Sequence, residues 1–139
     1  MALDIDVSWR YGMKETGLGL IGLIGLVHED ARRAISEFNT DDWGFSVQQF
    51  RIKEKIPLGN HYHKRKDEIF VILKGSGHVI LQKVGESKVK ETILLKTGSV
   101  IYVPKNMAHT FVLEPDSEMI CFSTKAFDKD DMHPFVLVK

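Results

Sequence analysis

Three of the six histidines in this 139-residue chain sit in two short stretches, His61-Tyr62-His63-Lys64-Arg65-Lys66-Asp67-Glu68 and Pro104-Lys105-Asn106-Met107-Ala108-His109. In an extended segment side chains alternate between faces, so His61 and His63 point the same way with Cα atoms roughly 6.6 Å apart. Glu68 opens the apolar run Ile69-Phe70-Val71-Ile72-Leu73. A strand returning beside the first would bring its carboxylate to the same place. His109 follows Gly98-Ser99-Val100-Ile101-Tyr102-Val103-Pro104, which reads as a strand ended by proline and a turn, and can reach the spot from a second hairpin. Three imidazoles and one carboxylate suit one divalent transition metal (Zn, Fe, Mn, Ni or Cu) better than Ca or Mg, which prefer all-oxygen shells. A bare His-x-His is more often a surface pair. It is the four residues together that favour a metal site.

The elements that must position these groups read as short strands. From Trp43 to Ile56, Phe45, Val47 and Gln49 fall on one face and Ser46, Gln48, Phe50 and Ile52 on the other. The ligand segment and Ile69 to Leu73 follow, then turns at Lys74-Gly75-Ser76-Gly77, Gly85-Glu86-Ser87-Lys88 and Lys96-Thr97-Gly98 separate further strands out to Ser123. Strands punctuated every eight to twelve residues indicate an all-β barrel or sandwich, and a small double-sheet jelly roll with the metal at its open mouth is the expected fold. Alternation then predicts a largely apolar pocket for a small organic ligand, walled by Phe70 and Ile72, Phe111 and Leu113, and Phe50 or Gln49. Tyr102 is a candidate proton donor at the rim, or a packing aromatic. Lys64, Arg65 and Lys66 form a basic exposed turn or, beside the mouth, a holder for phosphate or carboxylate, Arg65 being the named candidate.

Composition bounds the rest. With 43% hydrophobic and 27% charged residues the chain fits one globular domain. Lys plus Arg equal Asp plus Glu at 19 each, so no net field draws it to nucleic acid or to an anionic membrane. The single cysteine, Cys121, excludes an internal disulfide framework, suits a reducing cytoplasm and reads as a buried strand residue. The apolar run Gly17 to Val27 spans eleven residues, too few for a bilayer crossing of about 20. Acidic residues before it spoil a signal peptide, so it is expected to be a buried strand or strand pair, or a helix packed on a partner subunit. Its Gly-x-Gly-x-x-Gly string has no dinucleotide-binding context.

Residues 1 to 16 read as an arm or edge strand, and 28 to 38 as a short helix: Glu29 and Asp30 suit its positive end, and Ala31, Ala34, Ile35 and Phe38 have helical spacing. The organisation expected is therefore residues 1–44 as arm and helix packed on a barrel of 45–139. Asp128, Asp130 and Asp131 read as a solvated acidic turn without the spacing of a calcium loop. The apolar tail Phe135-Val136-Leu137-Val138 must be buried, plausibly on another subunit. With the N-terminal run it predicts a homodimer.

These residues resemble a known family, the cupins. The first cupin motif, Gly-x5-His-x-His-x3,4-Glu-x6-Gly, is matched at His61, His63, Glu68 and Gly75, and the second, Gly-x5-Pro-x-Gly-x2-His-x3-Asn, at Gly98, Pro104 and His109. Gly59 stands two residues before His61 rather than six, Asn106 replaces the middle glycine and Leu113 the closing asparagine. Asn106 can make the same turn, because Asn tolerates positive φ. The resemblance covers about residues 45 to 125 and implies a double-stranded β-helix barrel with His61, His63, Glu68 and His109 as metal ligands. More narrowly, Asn60 to Lys64 with Glu68-Ile69-Phe70, and Phe122 to Asp128, look like cupin domains of sugar-nucleotide and capsular polysaccharide enzymes, some of them isomerases or epimerases. The expected function is an enzyme acting on a small carbonyl- or hydroxyl-bearing metabolite, a sugar isomerase or epimerase. An Fe(II) dioxygenase and a non-catalytic small-molecule binder are the alternatives, since one barrel hosts many chemistries.

Overall fold

The computed structural model describes residues 9–10, 13–15, 20–22, 24–40, 45–85 and 88–139. Strands β1 (Trp9–Arg10), β2 (Met13–Glu15) and β3 (Leu20–Gly22) form a small antiparallel sheet. The remaining strands are β4 (Gly25–Glu29), β5 (Arg33–Thr40), β6 (Phe45–Ile52), β7 (Leu58–Tyr62), β8 (Glu68–Lys74), β9 (Ser76–Lys83), β10 (Glu91–Lys96), β11 (Val100–Val103), β12 (Met107–Leu113), β13 (Glu118–Ser123) and β14 (His133–Pro134). They make a five-stranded sheet in the order β10-β9-β12-β7-β14 and a six-stranded sheet in the order β11-β8-β13-β6-β5-β4. All pairings are antiparallel, and the all-β jelly roll expected from the strand punctuation is what forms.

Between the two sheets lies a core of Ile52, Leu58, Phe70, Ile72, Val79, Leu95, Ile101, Val103, Phe111, Leu113, Met119 and Cys121. Strand alternation supplies it: on β8, Glu68, Phe70 and Ile72 are buried while Ile69 and Leu73 are exposed. On β6 the two faces split as the alternation predicts, and of the two candidates left open it is Phe50, with Ser46, Gln48 and Ile52, that faces inward, while Gln49 faces away.

The helix expected from His28 to Phe38 is not formed. Residues 25–29 and 33–40 are strands, and β5 pairs with β6 without interruption from Arg33↔Ile52 to Thr40↔Phe45. Asp30 decides the local conformation. Its Oδ1 accepts the backbone N–H groups of Arg32 and Arg33 at 2.8 and 3.0 Å, which closes a turn where a helix would have begun. The helical spacing of Ala34, Ile35 and Phe38 is overridden by an eight-pair ladder in which Arg33, Ile35 and Glu37 share the inner face. Residues up to 44 thus include two strands of the barrel sheet itself.

The apolar run near the N-terminus contains strands, but the part whose burial is described, residues 24–29, is exposed in the single chain, Leu26 at 60% and Val27 at 59%. Residues 1–8, on which most of the expected arm falls, and 16–19 lie outside those described. The apolar tail docks on its own barrel: β14 pairs with β7, Leu137 is buried, and Asn60 Oδ1 accepts from the Leu137 and Val138 N–H groups at 2.9 and 3.1 Å.

Candidate metal centre

His61 lies on β7 directly opposite His109 on β12, a registered pair in the five-stranded sheet. His63 stands just beyond the end of β7, and Glu68 begins β8 in the other sheet. The carboxylate therefore arrives by a crossing of the barrel mouth and not, as the sequence suggested, on a strand hydrogen-bonded beside β7. His109 does lie on a strand paired with β7, but not on the hairpin expected after Val103, since β11 and β12 belong to different sheets. The site consequently sits between the layers, closed by both.

The imidazole nitrogens of His61, His63 and His109 lie within 4.8 Å of one another. His63 Nδ1 contacts the Asp131 carbonyl at 2.7 Å and His109 Nδ1 the Met107 carbonyl at 3.1 Å. A carbonyl only accepts, so each Nδ1 must carry the proton and each Nε2 presents a lone pair. Glu68 Oε1 lies 3.2 Å from His63 Nε2 and 3.6 Å from His109 Nε2, yet it is buried with no hydrogen bond. Several acceptors thus converge on one buried place that no donor among the described residues fills, which a cation satisfies. Burial first, then the charges of His109 and His63, lower His61 to about 3. Burial likewise lowers His109. Neutral imidazoles are the form that binds metal. The donor set fits a divalent transition ion.

Glu68 is held from its other oxygen. Burial alone would raise its carboxyl, but His63, His109 and Lys66 outweigh burial and keep it below the ordinary value. Oε2 accepts from Cys121 Sγ and Ser123 Oγ, both at 3.3 Å, and faces Lys66 Nζ at 3.7 Å. Cys121 is the buried strand residue the sequence predicts, with its thiol pushed up by burial and by Glu68. Its task here is to orient the carboxylate.

Two backbone sites make this geometry possible. At Gly59 φ is +115°, and a Cβ there would stand 2.6 Å from the His109 carbonyl oxygen. Only glycine lets β7 approach β12 at the register shift beside the two histidines. Asn106 at φ 62° makes the turn expected of it, and its N–H donates to the His63 carbonyl at 2.7 Å.

Several sequence assignments need correction. Tyr102 is 58% exposed on the outer face of β11, paired with exposed Ile69, and does not reach the site. Ile72 and Leu113 face inward but are filled core, while Phe50, Phe70 and Phe111 do line the cavity. Arg65 points outward to Asp128 at 3.2 Å. Lys66, read as part of an exposed basic turn, is 5% exposed and lines the cavity. Asp131, read as solvated, is buried. Its oxygens accept from Lys64 N at 2.8 Å and Arg65 N at 3.1 Å and fix the loop between His63 and Glu68. Alternation is no guide in a loop, so neither residue could be placed from spacing.

The cavity measures about 410 Å³ and runs from the three histidines past Phe50, Phe70 and Met119 to Arg33, Glu37 and His28. That volume suits a small organic ligand. Within it, replacing Glu68 by alanine leaves the buried Lys66 ammonium without a carboxylate. In metal-free protein Glu68→Ala should lower stability to urea by about 3–5 kcal/mol, and adding Lys66→Met should restore much of it. A double variant no more stable than Glu68→Ala would show that the pair is not coupled.

The family model described as polysaccharide biosynthesis C-terminal domain matches residues 28–135. A glucose-6-phosphate isomerase of Pyrococcus abyssi (strain GE5 / Orsay) is 41% identical over 71 residues, covering 49% of this chain and 36% of that protein. Among solved structures, the capsular polysaccharide assembling protein CapF of Staphylococcus aureus superposes with a TM-score of 0.68 at 23% identity, over 95% of this chain and 33% of that one. A Streptomyces PAC13 variant with uridine superposes with a TM-score of 0.63 at 14% identity, over 81% of this chain and 85% of that one. The chain spans about a third of the length of the isomerase and of CapF. With these neighbours the fold is that of a cupin.

Proposed function

Because the chain belongs to the polysaccharide biosynthesis C-terminal domain family, we propose that it is a metal-dependent isomerase or epimerase of a sugar or sugar nucleotide. The observation that carries this reading is the buried Glu68 Oε1 facing lone-pair nitrogens at the head of a ligand-sized cavity. His61, His63, Glu68 and His109 would hold the ion, which when bound supplies a Lewis acid that polarises a carbonyl or hydroxyl oxygen. Phe50, Phe70 and Phe111 exclude water around the reacting carbon. Lys66 donates a hydrogen bond to the substrate oxygen that the ion would polarise. The names of the two relatives, an isomerase and a capsular polysaccharide protein, support a sugar as the substrate class.

Such a reaction exchanges a carbon-bound hydrogen with solvent. Metal-loaded protein in D2O should place deuterium beside the carbonyl of a phosphorylated hexose or a nucleotide sugar, as read by NMR, and His109→Ala should not. No exchange across both substrate classes by metal-loaded protein would overturn the reading.

A further inference from the structure

At the end of the cavity away from the histidines, the structure assigns Arg33 as the binding site for an oxyanion, the phosphate or carboxylate substituent of the ligand. The turn between β4 and β5 holds Asp30 and Arg32, Arg33 opens β5, and the acid is fully used. Asp30 Oδ2 takes Arg32 Nη2 at 3.0 Å and His28 Nε2 at 2.9 Å, while Oδ1 takes the two backbone N–H groups. Arg33 points the other way, into the cavity wall. Among the described residues its guanidinium has no ion pair, and its Nε is buried without a hydrogen-bond partner.

Among the described residues, the other lysine or arginine side chain lining the cavity, Lys66, has an answering carboxylate in Glu68. Glu37, on the same face of β5, stands four residues on, about 13 Å along the strand from Arg33, and accepts from Gln48 Nε2 at 2.6 Å. Burial, and next the charge of Arg32, outweigh the attraction of Asp30 and disfavour the charged form of Arg33, so an anion arriving there relieves a cost already present. A guanidinium with its Nε–H and a terminal N–H free offers the fork that oxyanions take bidentately. Strand β5 lies three strand steps from β8 in the sheet, on the order of 14 Å measured along its surface. A ligand engaging both ends is therefore longer than one sugar ring, with its charged group remote from the metal. That the anion belongs to the substrate rests on the proposed function; that Arg33 binds an oxyanion does not.

The test uses the full-length chain, with the Arg33 side-chain Nε–H followed by 15N NMR while inorganic phosphate and acetate are titrated separately. Arg33 Nε–H should shift saturably with at least one, the stronger identifying a phosphate or a carboxylate source. Arg33→Gln should weaken that binding at least about tenfold. Arg33→Lys, which keeps the charge but not the fork, should recover only part of it. His61→Ala should bind the anion as wild type does, which separates this site from the metal centre. No shift of Arg33 Nε–H with either anion would overturn the assignment, as would undiminished binding by Arg33→Gln or loss of binding by His61→Ala alone. Absence of metal from the wild-type protein, with the Arg33 shift intact, would count against the proposed function only.

Discussion

His109→Ala and His61→Ala, each purified without chelator, are expected to carry almost no metal where the wild-type chain carries about one ion. The affinity loss should exceed the roughly 10–100-fold that follows removal of a hydrogen-bond partner outside the ligand shell. Each histidine contributes a lone pair that no other side chain can replace, since Nδ1 of His109 is committed to Met107 and Nδ1 of His63 to Asp131. The fold should survive. Strand β12 is held by β9 and β7 through backbone ladders that do not involve the imidazole, so truncation leaves a small cavity and costs about 1–3 kcal/mol. Elemental analysis with a urea melt separates the two effects. Variants that keep a full ion, or that lose metal only because they unfold, would remove these residues from the ligand set.

Lys66→Met should lower turnover of the sugar substrate by about 10²–10³ while leaving metal stoichiometry near wild type. Methionine fills much of the volume of the lysine stem but cannot donate. Glu68 keeps its Cys121 and Ser123 donors and, with metal bound, its ion, so its position should hold. Measuring kcat and KM separately shows where the loss falls. A hydrogen bond that strengthens in the transition state appears in kcat, whereas one equally strong in the ground state appears in KM. Unchanged kcat would reduce Lys66 to a counter-ion for Glu68.

The parts of this site that could be read from sequence were those governed by alternation. His61 and His63 share a face, Phe70 follows Glu68 inward, and on β6 Phe50 and Ile52 fall on one face and Gln49 on the other, all from a period of two, though the period leaves open which face is buried. Asn106 was legible because a required positive φ narrows the residue choice. What escaped depended on contacts between distant segments. The strand at 33–40 has apolar spacing compatible with a helix, and only its ladder with β6 and the Asp30 turn decide against one. Lys66 sits in a three-cation run that reads as solvated, and its burial follows from Asp131, 65 positions later, fixing the preceding loop. Tyr102 was a candidate because it is aromatic and near the second motif, but it falls on the outward parity of β11. Arg33 could not be distinguished from Arg32 until the Asp30 carboxylate was seen to pair with the guanidinium of Arg32.

The most direct measurement is X-ray absorption on wild-type protein reconstituted with a single equivalent of zinc or manganese after chelator-free purification. One tightly held ion per chain, with imidazole scattering from three histidines and a further oxygen from Glu68, is the predicted result. An ion that washes out, or a shell showing one imidazole or none, would contradict a common cation between the sheets.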